Sequence, residues 1–128
     1  MCRSDYNGIN SELKLEAFIK KYESSKCTSA VPYLASSIMM KAQYTLNPVK
    51  KLSYFNSGKS KLESFIRKNQ TSIDGRYVRI MIQGTIPKFL NYSSDIKNDI
   101  NFVKTNISGS DIPEEIKKTM LKNINNLK

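Results

Sequence analysis

Gly58-Lys59-Ser60 reproduces the end of the phosphate-binding pattern G-x-x-x-x-G-K-[ST], in which backbone N–H groups and a lysine cradle phosphate oxygens. That chemistry needs a first glycine five residues earlier and a strand-to-helix turn that aims the N–H groups at the ligand. Here Ser53 stands at the glycine position and the triplet lies inside an amphipathic helical pattern, so no nucleotide site is expected. The chain contains no His, which removes the commonest general base and the Ser-His and Cys-His nucleophile pairs. Asp95 and Asp99 are four apart and share one face of a helix, but no second acidic pair accompanies them to complete a metal or glycosidase site. Cys2 and Cys27 are too few for a disulfide framework and lack the spacing of a zinc site. A single disulfide between them stays open. The Asn-x-Ser/Thr triplets at Asn69, Asn91 and Asn106 are what chance gives in a chain rich in Asn and Ser. No enzyme, catalytic residue, metal or cofactor is expected.

What remains is charge. Residues 41–88 hold ten basic side chains (Lys41, Lys50, Lys51, Lys59, Lys61, Arg67, Lys68, Arg76, Arg79, Lys88) against Glu63 and Asp74, a net +8 of the chain's +10. Such a concentration draws anionic partners: an acidic protein face, nucleic acid or an anionic membrane surface. Lys41, Lys50, Lys51, Lys59, Lys61, Arg67, Arg76 and Arg79 are therefore the candidate anion-binding or partner-binding residues, beside the plainer reading of a solvated face that keeps the protein soluble. Tyr44, Tyr54 and Tyr77 are the rings available for base stacking, yet Tyr77 falls on an apolar stripe and the other two flank theirs, which favours packing. No helix-turn-helix, zinc-finger or single-strand-binding signature accompanies them.

The elements that must position these residues are helical. A length of 128 residues suits one domain, and 39% hydrophobic with 25% charged residues suits a folded one. No apolar run approaches the roughly 20 residues that span a bilayer. Residues 1–10 read as a loose polar arm and 11–128 as a single helical domain. Leu15, Phe18, Ile19 and Tyr22 define a helix over 11–24, and Leu34, Ala35, Ile38, Met39 and Ala42 a second one that Pro32 opens. Asn47-Pro48 caps and starts a third, 48–69, with Val49, Leu52, Phe55, Leu62, Phe65 and Ile66 inward and Gly58 marking a close helix crossing. Thr71 or Ser72 caps a fourth helix with Ile73, Tyr77, Ile80 and Met81; the run 78–82 alone is also compatible with a strand. After Pro87 a connector carries Phe89, Leu90 and Tyr92, which should pack on the body. Ser94 should cap a fifth helix that Gly109 ends, and Asp111 with Glu114 has capping-box spacing for a sixth.

The stretch 61–79, KLESFIRKNQTSIDGRYVR, resembles the junction between two tetratricopeptide repeats, with Phe65 and Ile66 on the outgoing helix, Ile73-Asp74 opening the next and Tyr77 at its aromatic packing position. Gln70 stands where the turn proline is usual. Asn47-Pro48 to Asn56, Gly58-Lys59, 73–79 and 87–92 together resemble small uncharacterised Bacteroidetes proteins with tetratricopeptide-like helices. The resemblance implies an all-α fold of about six helices in antiparallel pairs, a right-handed stack or an irregular bundle, and export across the inner membrane. A chain that starts as given is expected in the cytoplasm; a signal peptide removed before Cys2 would make it periplasmic or lipid-anchored. Stacked helix pairs mainly hold other proteins. The expectation is a non-enzymatic protein-interaction module whose partner has an acidic face, with a basic nucleic-acid-binding domain as the alternative.

Overall fold

In the computed structural model, which describes residues 2–24 and 29–127, helical periodicity is realised as seven α-helices, with no strand among the described residues. They are α1 Cys2–Asn7, α2 Glu12–Tyr22, α3 Ala30–Met40, α4 Pro48–Lys68, α5 Ile73–Thr85, α6 Ile96–Asn106 and α7 Glu114–Asn125. The class is all-α, and the ambiguous run 78–82 is helical. Cys27 lies outside the described residues, and with it any bond to Cys2. The chain divides into two compact units, Met1–Asn69 and Gln70–Lys128.

In the first unit local chemistry starts the helices where expected. The Ser11 hydroxyl accepts the Lys14 N–H at α2, and the Asn47 side chain accepts those of Val49 and Lys50 at α4, filling donors that a helix start leaves orphaned. α3 is central and meets α1, α2 and α4. It is buried almost all round, from Pro32 to Ser37, which the stripe of Leu34, Ala35, Ile38, Met39 and Ala42 did not foretell. Its serines can be buried because they are bonded: the Ser37 hydroxyl donates to the Tyr33 carbonyl, and Ser36 bonds Tyr6. α4 runs back along α3, Lys41 lying over the Tyr54 ring and Gly58 against Ala35 and Met39. A Cβ at Gly58 would stand 2.5 Å from both the Ala35 carbonyl oxygen and Met39 Cγ. The two backbones meet there because position 58 has no side chain.

Residues 2–7, expected to belong to a loose arm, form α1. Tyr6 places its ring 5.8 Å from Phe18 and 4.9 Å from Tyr33, and its hydroxyl lies 2.6 Å from Ser36 Oγ. The Asp5 carboxylate accepts Lys21 Nζ at 2.8 Å and the Tyr22 hydroxyl.

In the second unit the Ser72 hydroxyl caps α5 through Gly75 N–H. Ile73, Tyr77, Val78, Ile80 and Ile82 of α5 are buried, as are Val103 of α6, Ile107 directly after it, and Met120 and Ile124 of α7. The Tyr77 hydroxyl accepts Asn123 Nδ2 at 2.9 Å, which joins α5 to α7. Two expected caps are not used. Asp95, not Ser94, precedes α6, and its carboxylate turns to α5. Asp111 does not cap α7 because Pro113 occupies the cap position and supplies no side-chain acceptor. Of the connector's apolar residues Tyr92 is buried and Leu90 half-buried, while Phe89 is 84% exposed.

Gly58→Ala should lower stability by about 2 kcal/mol in urea unfolding, because a Cβ 2.5 Å from a backbone oxygen puts the overpacking cost at the upper end of about 1–3 kcal/mol, against about 1 kcal/mol gained from alanine as the better helix former. The hydrogen bonds from Lys21 and Tyr22 hold the Asp5 carboxyl below its ordinary value. A depressed carboxyl contributes stability above its ordinary pKa and loses it as pH falls through the depressed one. The attachment of α1 should therefore weaken as pH drops below about 4, read as a shift of the Tyr6 ring resonances before the amides of α3 respond.

Candidate functional site

The structure scatters the candidate basic residues. On α4, a 100° step per residue puts Lys50, Lys61 and Lys68 on one edge, about 27 Å from first to last, whereas Lys51, Lys59 and Arg67 point to other sides. Lys50, Lys51, Lys61 and Arg67 are exposed and Lys59 is half-buried. Lys41, in the turn before α4, is half-buried with its amine 5.5 Å from the centre of the Tyr54 ring. It borders a small recess of ≈ 130 Å³ together with Tyr44, Tyr54, Glu12 and Glu16.

Arg76 and Arg79, in the second unit, are both paired with the buried Asp99, and Arg79 also approaches the half-buried Asp95. Asp99 is 0% exposed and is met from α5 by Arg79 Nε at 2.6 Å, Arg79 Nη2 at 2.9 Å and Arg76 Nη1 at 3.1 Å. Arg79 also lies 3.7 Å from Asp95, whose carboxylate accepts Gln83 Nε2 and whose N–H donates to Gln83 Oε1. Arg76 spreads its guanidinium 4.5 Å from the centre of the Phe102 ring and donates to the Gln70 carbonyl; its Nε is buried without a hydrogen-bond partner. A buried carboxylate with three N–H donors is a structural solution, since a lone charge there would be prohibitive. The sequence carried its signal in Arg76, Arg79 and Gln83 at i, i+3, i+7 opposite Asp95 and Asp99 at i, i+4. The aspartates alone look like a solvated pair.

A feature that sequence reasoning missed lies at the start of α4. Leu46 is 98% exposed, Val49 76% and Leu52 53%, with Lys50 and Lys51 between them and exposed Tyr44 before them. Val49 and Leu52 were expected in the core. The reason for their exposure is length: α4 has 21 residues and α3 only 11, about 32 Å against about 17 Å, so the first turns of α4 run past the end of α3. Lys51 shows this directly. It lies 11 residues before Leu62 and hence on the same face, yet Leu62 is wholly buried and Lys51 exposed. The buried seam begins at Phe55.

Gly58-Lys59-Ser60 lies in mid-helix, so its N–H groups are bonded within α4 and form no anion cradle. Among the described residues no group of three or more His, Cys, Asp or Glu could hold a metal ion, and no helix is long and apolar enough to cross a membrane. Comparison with family models, curated proteins and solved structures gave no match for the chain.

Asp99→Ala should destabilise the protein by about 3–5 kcal/mol in thermal or urea unfolding, because it strands Arg79 in the interior. Lys50→Ala and Lys61→Ala, on the open edge of α4, should stay within about 0.5 kcal/mol of wild type.

Proposed function

We propose that this chain is a non-enzymatic helical protein-interaction module that uses the start of α4 to hold a partner with apolar anchors flanked by acidic residues. One observation carries the reading: Leu46, Val49 and Leu52 stand in water beside Lys50 and Lys51. Transfer of such side chains into an interface is worth about 1.5–3 kcal/mol each, before the costs of association. The two lysines add long-range attraction for an acidic face and select against basic ones. A surface built for nucleic acid would instead set most of its cations along a phosphate track, whereas only Lys50, Lys61 and Lys68 share an edge of α4, Lys51, Lys59 and Arg67 point elsewhere, and Arg76 and Arg79 are paired with acids. The likeness of 61–79 to a tetratricopeptide junction supports the same class of function, as does the absence of His from the chain.

The test compares wild type with Leu46→Ser/Val49→Ser/Leu52→Ser and with Lys50→Glu/Lys51→Glu, all expected to keep the wild-type helical circular dichroism because these residues bury little. Crosslinking in the source cells should recover a defined protein partner with wild type and lose it at least tenfold with each variant. Polarisation titrations with random DNA and RNA should show binding only at low salt. Submicromolar nucleic-acid affinity at physiological salt, abolished by Lys50→Glu/Lys51→Glu/Lys59→Glu/Lys61→Glu, would replace this reading with a nucleic-acid-binding one.

A further inference from the structure

The helix α1 is six residues long, too short to persist by itself, since helix nucleation is unfavourable and isolated helices below about 12 residues are marginal in water. Something outside α1 must hold it in shape. Much of that hold comes from two adjacent residues. Asp5 is clamped by the Lys21 ammonium and the Tyr22 hydroxyl, and Tyr6 stands against the Phe18 and Tyr33 rings with its hydroxyl on Ser36. Every one of these receiving groups belongs to α2 or α3. Their positions are set by other contacts as well: Phe18 and Tyr22 pack on each other at 4.8 Å, and Tyr33 sits in the most buried stretch of α3. The receiving face is thus built by the body of the unit, and α1 is a short segment laid on it. Directly after Tyr6 the chain turns, with Gly8 N–H donating to the Asp5 carbonyl and Ile9 N–H to the Tyr6 carbonyl, and three residues lead to Ser11.

The geometry has the parts of a peptide-recognition site: a cation and a hydroxyl for a carboxylate, and beside them an aromatic slot with a hydroxyl at its end. We propose that the α2–α3 face beneath α1 recognises short segments in which Asp or Glu is directly followed by Tyr or Phe in a helical turn. Asp5-Tyr6 is the resident occupant, and a partner's segment of the same chemistry displaces it. Tethering makes the resident strong for its size, because a segment on a short linker presents itself at an effective concentration of millimolar order. The site is therefore closed to weak ligands and opens to a partner that brings additional contacts. It uses none of the residues at the start of α4, so it stands or falls independently of the function proposed above.

The probe is a fluorescein-labelled peptide of residues 1–10 carrying Cys2→Ser, titrated by polarisation against the full chain. Wild type should bind it weakly. Asp5→Ala/Tyr6→Ala, which vacates the site, should bind it at least about tenfold more tightly, and adding Lys21→Glu or Tyr33→Ala should remove the gain. A peptide with Asp5→Lys and Tyr6→Ala should not bind. In wild type, hydrogen exchange should be fast at the amides of α1 and slow in α3, and excess peptide should speed α1 further. Failure of the peptide to bind an Asp5→Ala/Tyr6→Ala chain with wild-type circular dichroism would overturn the proposal. So would α1 amides as protected as those of α3, loss of cooperative folding in the double variant, or a dimer that Tyr6→Ala dissolves, which would give the site to a second copy.

Discussion

A carboxylate with no access to water must find its donors in the protein, and Asp99 finds three, all on α5. That constraint fixes the second unit. Desolvating one charge costs several kcal/mol unless its partners are well placed, which favours the observed register of α6 on α5. A slip of one turn, about 5.4 Å, in either direction would part the buried carboxylate from both Arg79 donors. Gln83 with Asp95 repeats the arrangement two turns along α5 from Arg76, so the seam is pinned at both ends. The apolar residues around it supply the driving force, and the ion pair decides which of their packings is used. The same commitment removes Arg76 and Arg79 from the charge that the protein shows to its surroundings.

The first unit reaches a single register by sterics. Gly58 lets the α4 backbone come against Ala35 and Met39, and any side chain at that level would hold the helices apart. Because the crossing lies near the middle of α4 and toward the end of α3, the start of α4 has no helix of that pair beside it. Exposure of Val49 and Leu52 therefore follows from where the close approach falls and from the unequal lengths of the two helices.

Features governed by neighbours in sequence were legible. Ser11, Asn47 and Ser72 cap their helices because a side-chain oxygen and the N–H it accepts lie two or three residues apart, a distance that a sequence states openly. Ser94 and Asp111 were misread for the same local reason in reverse: Asp95 has a better use across the seam, and Pro113 takes the cap position with no oxygen to offer. Gly58 could be recognised as a crossing because glycine in a long amphipathic helix needs a cause. The faces of Val49 and Leu52 could not be settled, since a periodic stripe says which side of a helix is apolar and nothing about how far its neighbour extends. The fates of the basic residues were equally hidden. Lys50 and Arg79 look alike in a charge count, and only the position of Asp99 makes one a surface group and the other part of the interior. α1 escaped because six residues hold too few turns for periodicity to register.

The overhang of α4 also bears on how this protein can change over generations. Substitution at most apolar positions is limited by the need to keep a core filled, so drift there is slow and compensated. Leu46, Val49 and Leu52 contribute little to that core, and selection on them acts through whatever they touch in the cell, not through the survival of the fold. The start of α4 is thus the part of the first unit where new specificity can be tried at almost no risk to folding, and related chains should differ most in hydrophobic identity there while keeping a glycine at the crossing.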